Sequence, residues 1–262
     1  MPGIPFGNDP AKIAGYRAFW ERADVPRPLV GFTLRGWFPM DEYRATQAWQ
    51  SASYLTPEMV DPAAFLADEE RLLSEGEVLD DDIIRGDAPA AAVIPWLSGM
   101  LGAQLRILPG NILGEERNLP WDELERLRLD ERHPWYRAYM AFAEALVRHA
   151  QGRYPVSHGA LFGPCDIMGE LRGHTQSILD LLTEPERAQA LLWRCAEIFK
   201  QVTDDLWARL PRWHGGCFDG MYQLWAPGSI VRMQEDASAV YSPALYRRFL
   251  QPIDRYLASN YA

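Results

Sequence analysis

Short apolar runs alternating with long amphipathic helices predict an α/β fold, an incomplete (β/α)8 TIM barrel with about five of its eight strands. Two observations carry that reading. Several helical segments open on Asp-Pro, Glu-Pro or Ser-Pro, a capping residue followed by a proline whose missing N–H costs nothing in a first turn. Long helices separate most of the apolar runs, so parallel pairing through right-handed crossovers is expected. No repeat, low-complexity tract or linker divides residues 1–262, which read as a single barrel domain lacking its C-terminal part.

In chain order, Asp9-Pro10 opens a helix through Ala23 that buries Ile13, Tyr16 and Trp20, and a strand follows at 28–34. Asp61-Pro62 repeats the signal for a helix to about Leu73. The apolar run 90–94, bounded by prolines, reads as a buried strand. Residues 103–116 are ambiguous, and their alternation suits a hairpin laid over one end of the core. Pro134 starts a helix with Tyr136, Tyr139, Met140, Ala143, Leu146 and Val147 on one face, feeding a strand at 155–159. Pro185 opens the clearest helix, whose stripe runs from Ala188 to Leu210. Strands at 216–219 and 230–235 follow, and Ser242-Pro243 caps a last helix carrying Leu245, Phe249, Ile253 and Leu257.

Composition narrows the function. A chain that is 48% apolar can build a large core, and a net charge of −10 opposes binding to nucleic acid or to an anionic membrane, leaving a small molecule as the expected partner. No stretch reaches the roughly 18 apolar residues of a membrane span, and the N-terminus has no signal-peptide pattern, so the expected location is cytoplasmic. Cys165, Cys195 and Cys217 have no CxxC spacing and read as reduced thiols rather than a disulfide framework or zinc knuckle. The two lysines, Lys12 and Lys200, fall on helices, which removes the strand-end lysine that imine chemistry requires. The chain has no phosphate loop, GxGxxG or GxSxG motif.

In a parallel α/β fold, chemistry gathers past the carboxyl ends of the strands. Arg35 there suits an anionic group, with an ion pair to Asp41 or Glu42 as the structural alternative. Gln234, Asp236 and Ser238 alternate on one face of a strand end, where Asp236 could hold a substrate nitrogen or a developing cation, or simply cap the next helix. His158 stands at a strand end as a candidate acid or ligand. Trp37, Trp96 and Trp225, each expected in the core, could together wall a planar ligand, and Asp166, Glu170 and Tyr222 complete the candidate contacts. His214 and Cys217 are spaced to point to opposite faces of a strand, so no metal ligand is assigned.

Two segments, GPCDIMGELRG at 163–173 and QEDASAVYSPALYRRFLQP at 234–252, resemble the uroporphyrinogen decarboxylase-like family, which also includes cobalamin-dependent methyltransferases acting on coenzyme M. The resemblance spans most of the chain and implies a longer (β/α)8 barrel. It implies an enzyme acting on a tetrapyrrole or on corrinoid-linked methyl groups, in which Asp236 and Ser238 match the family's Asp-Ser at the fifth strand end and Arg35 the first of its two arginines; Asp236, Arg35 and, by its strand-end position alone, His158 are the candidate catalytic residues. A decarboxylase would need no cofactor, whereas the methyltransferase branch implies zinc and a corrinoid, with a homodimer or a corrinoid protein as partner. The alternative is a non-catalytic ligand- or corrinoid-binding subunit. The chain departs from the decarboxylase pattern in having Pro39 where the family has a second arginine, and Glu170 where it has a tyrosine. It matches no family aspartate after the second strand, where Val93 and its neighbours are expected, and it contains no His-x-Cys.

Overall fold

The computed structural model describes residues 4–32, 39–90, 93–159 and 161–261, and it mixes many helices with two small sheets. Helix α1 (Pro10–Trp20) starts where Asp9 accepts the N–H of Ala11, and α2 (Pro62–Ser74) where Asp61 accepts that of Ala63, each with proline in the first turn as expected. Strand β1 (Tyr54–Leu55) precedes α2 in sequence and pairs with β2 (Leu105–Leu108), which follows the short α3 (Trp96–Met100). Strand β3 (Asn111–Gly114) folds back on β2 in antiparallel register, Leu105 facing Gly114 and Leu108 facing Asn111, so the ambiguous stretch is a hairpin.

After α4 (Trp121–Leu124) comes α5 (Pro134–Ala150), which buries Tyr136, Tyr139, Met140, Ala143 and Leu146 on the face that the spacing indicates. Helices α6 (Pro164–Arg172), α7 (His174–Thr183) and α8 (Pro185–Trp207) pack on one another, and the α8 stripe from Ala188 to Leu206 is buried. Strands β4 (Cys217–Asp219) and β5 (Leu224–Ala226) form an antiparallel hairpin. The chain then runs through a 3-10 turn at Asp236–Val240 into α9 (Pro243–Leu245), a π-helical stretch at Tyr246–Leu250 and α10 (Gln251–Asn260), which together place Phe249, Ile253 and Leu257 in the core. No helix among the described residues is long and apolar enough to cross a membrane.

Of the expected strands, 216–219 is paired in a ladder at Cys217–Asp219, while 155–159 and 230–235 make only isolated bridges among the described residues. Residues 28–32 contact 81–82 through the Val30 N–H to the Asp82 carboxylate and the Asp82 N–H to the Val30 carbonyl, and residues 33 and 34 of that run lie outside the described residues. In the run 90–94, residues 91 and 92 lie outside the described residues, and 90, 93 and 94 are in no strand. Ala90 has φ of 42° and the Val93 N–H closes a turn on the Ala90 carbonyl, while the paired residue lies upstream at Asp87. Asp87 forms a parallel bridge with Val156, and Phe162 forms another with Gln234. These bridges bring the segments around 87, 156, 162 and 234 side by side.

Two contacts fix the surroundings of these segments. Lys12 and Arg85 both bind the fully buried Asp81, and Asn8 bonds the backbone of Arg85 in both directions, which docks α1. On the other flank, the segment that follows β3 runs along the end of α6. The N–H groups of Arg117 and Leu119 donate to the carbonyls of Glu170 and Leu171 at 2.7 and 2.9 Å, and Arg172 returns a bond to the Leu119 carbonyl.

Candidate functional site

The segment 156–159 follows α5 and is held in place by backbone bonds to 86–88. The Ser157 N–H donates to the Asp87 carbonyl at 2.8 Å, and the Gly159 N–H donates to the buried Tyr139 hydroxyl at 2.9 Å. Next to Ser157, the end of β4 arrives with Gly220, whose N–H bonds the Ser157 hydroxyl at 2.8 Å. A Cβ at Gly220 would lie 3.2 Å from that of Ala88, so β4 sits tightly beside both segments. Asp87, His158 and Asp219 thereby end adjacent extended segments, and each is almost wholly buried.

The tautomer of His158 follows from its partners. Nδ1 lies 2.9 Å from the Gly159 carbonyl, which can only accept, so Nδ1 carries a proton. Nε2 receives the Arg232 N–H at 3.5 Å and stands 3.9 Å from Oδ1 of Asp219. That Asp219 oxygen has no hydrogen-bond donor among the described residues, while its partner oxygen accepts the Tyr222 N–H at 3.0 Å. Burial holds His158 below the usual histidine range, against the opposing pull of Asp219.

From His158 a polar line crosses to α6. Arg232 donates to the side chain of Gln234, and Gln234 Nε2 donates to Asp236 at 2.7 Å. The N–H groups of Asp236 and Ala237 donate to the two carboxylate oxygens of Asp166, at 3.1 and 2.6 Å. In exchange, Glu235 accepts the Cys165 N–H at 2.9 Å near the start of α6. Helix α6 and the 3-10 turn at 236–240 therefore cap each other. Burial drives the protonated form of these acids: Asp166 is raised, Glu235 is pushed up to about 8, and Glu170, one turn beyond Asp166, is pushed up to about 7.

Cys165, Asp166 and Glu235 place one potential ligand atom each within 4.8 Å of one another. The two carboxylates are engaged as caps, and burial pushes the Cys165 thiol far above its ordinary value, so the trio is a poor fit to the thiolate chemistry of a zinc centre.

The sequence-derived candidates divide into three groups. His158, Asp166, Gln234 and Asp236 belong to the polar line, and Tyr222 flanks it, half exposed, with the Arg232 guanidinium 5.8 Å from its ring centroid. Glu170 lies on the same helix, buried where a Cβ at Gly114 would meet its carboxylate. Arg35 and Trp37 lie outside the described residues.

Other expectations need correction. Trp96 is fully buried against Trp135, Tyr139 and Phe142, with its indole N–H on the Pro89 carbonyl. Trp225 is fully buried with Tyr16, Ile84 and Phe218, with its N–H on the Trp213 carbonyl. Both rings are core, spent on packing and internal hydrogen bonds, and neither walls a ligand space. Gln234, Asp236 and Ser238 do not share a strand face, because the bridged backbone ends at Gln234 and a 3-10 turn takes over at Asp236.

Sequence reasoning passed over Asp87 and Arg232 and assigned no role to Asp219 or Glu235. The alternation that selected Gln234 and Asp236 reaches Arg232 if extended two residues back. Asp87 was hidden by placing the strand at the more apolar run downstream. Compared with models of protein families and with curated proteins, the chain matches none.

Proposed function

We propose that this chain is a uroporphyrinogen decarboxylase-like barrel domain whose strand ends bind a small anionic molecule and move protons on it, a tetrapyrrole being the class that the resemblance implies. One observation supports the reading above all: the buried side chains of Asp219, His158, Arg232 and Asp166, from separate stretches of sequence, lie along one path, Asp219 facing His158 at 3.9 Å and the others linked by hydrogen bonds through Gln234 and the backbone N–H groups of Arg232 and Asp236. A structural core gains little from collecting such groups, since each costs desolvation, whereas a site that handles protons near neutral pH needs them.

In this reading His158 presents Nε2 as the base, with its ring fixed by Gly159, and Asp219 stabilises the imidazolium that forms. Asp236, exposed at the rim, holds a substrate nitrogen or a developing positive charge. Arg35 is assigned an anionic group of the substrate on the strength of the sequence alone.

The test is an absorption titration of the chain with uroporphyrin and, separately, with hydroxocobalamin. A saturable shift of the porphyrin band that weakens in His158→Gln and Asp236→Asn supports the tetrapyrrole reading. A shift with cobalamin alone moves the assignment to the methyltransferase branch, and a flat response to both overturns the family's ligand classes for this chain.

A further inference from the structure

Among the described residues two arginines are buried, and they are treated differently. Arg85 is locked to Asp81, with Nη1 on one carboxylate oxygen at 3.0 Å and Nη2 on the other at 2.6 Å. Arg232 is 9% exposed, and its side chain bonds only the neutral amide of Gln234. Among the described residues no carboxylate lies within 4.0 Å of its guanidinium, and the residues outside the description carry no acidic side chain. A guanidinium cannot shed its charge, so burying it without a counter-ion is costly unless an anion arrives.

We infer that Arg232 is the anchor for a carboxylate group of the small molecule bound at the strand ends. The inference rests on the reading of the polar line as a binding site and adds its ligand chemistry. The guanidinium keeps unused donors, having given one N–H group to Gln234, and its planar fork matches the two oxygens of a carboxylate. Half-exposed Tyr222 lies against it at 5.8 Å, which supports the cation through the ring face and leaves the position within reach of solvent. A carboxylate group, with one charge shared by two oxygens, is favoured over the more highly charged phosphate group because Asp219, Asp236 and Asp166 lie along the same line. Arg232 thus takes a role that the sequence alone gave to Arg35.

The experiment follows the thermal midpoint of the whole chain against millimolar succinate at constant ionic strength, with inorganic phosphate as the second arm. Succinate raises the midpoint saturably, and phosphate does so less. Arg232→Lys keeps the charge but loses the fork, and weakens succinate binding about tenfold. Arg232→Met removes the buried charge and its fork together, so it leaves the midpoint without ligand unchanged or higher and removes the succinate response. This variant is expected to be at least as stable as the parent, which keeps the test decisive if Arg232→Lys fails to fold. No saturable response in the parent chain, a stronger response to phosphate, or an undiminished succinate response in Arg232→Met overturns the inference. Succinate binding without any porphyrin shift would retire the tetrapyrrole reading and keep the anchor.

Discussion

Nε2 of His158 faces Oδ1 of Asp219 at 3.9 Å, with both side chains shut away from solvent. In the neutral ring these are two acceptors turned toward each other, so a proton on His158 would convert mutual repulsion into attraction. Burial opposes that proton and prevails, holding the histidine below its ordinary 6.5. Asp219→Asn is expected to lower it further, as read by an NMR titration of the His158 ring. Because the folded value is depressed, His158 contributes stability that is present above pH 6.5 and is lost as pH falls from there through the folded value. His158→Gln should flatten that acid limb. A His158 resonance titrating above 6.5 would contradict the assignment.

Glu170 works in the opposite direction. Its folded value of about 7 exceeds the ordinary 4.5, so its contribution is complete below pH 4.5 and is lost as pH rises through 7. Glu170→Gln, which mimics the protonated acid, is expected to remove a pH-dependent contribution on the order of 1–3 kcal/mol between pH 5 and 8. Urea unfolding at several pH values measures it, and parallel curves for parent and variant would show that Glu170 ionises freely.

Asp166→Ala leaves the N–H groups of Asp236 and Ala237 without their acceptor. A loss of about 1–3 kcal/mol is expected, concentrated in the turn at 236–240. Hydrogen exchange at those two amides should accelerate well beyond that of the α8 core. Uniform acceleration across the chain would mean that the cap is not a local device.

Trp96→Ala is expected to cost about 3–5 kcal/mol, because the ring is fully buried and fills the space among Trp135, Tyr139 and Phe142. Thermal unfolding reads the loss. A ligand-wall residue, by contrast, would tolerate alanine with little change in stability.

The helices were legible because capping and periodicity act locally. Asp9, Asp61 and Ser242 accept the N–H groups that their Asp-Pro and Ser-Pro signatures indicate, and the buried faces of α5 and α8 follow their spacing. The strands were less legible, because pairing depends on distant partners. Residues 90–94 are the more apolar run, yet Asp87 makes the bridge to Val156, and a turn at Ala90 breaks the run. The site divides the same way. His158, Gln234 and Asp236 were found from their position at strand ends, whereas Arg232 and Asp219 take their meaning from side chains dozens of residues away. Tryptophans at strand ends misled, since a large ring near a corner fits a core as readily as a cleft.

The segment leaving β3 is stitched to the last turn of α6 at Glu170 and Leu171. The hairpin and the helix that carries Asp166 therefore form one mechanical unit. Anything that pushes on the hairpin from outside pulls on the acid holding the 236–240 turn, and so on the rim of the site, without touching a single group inside it.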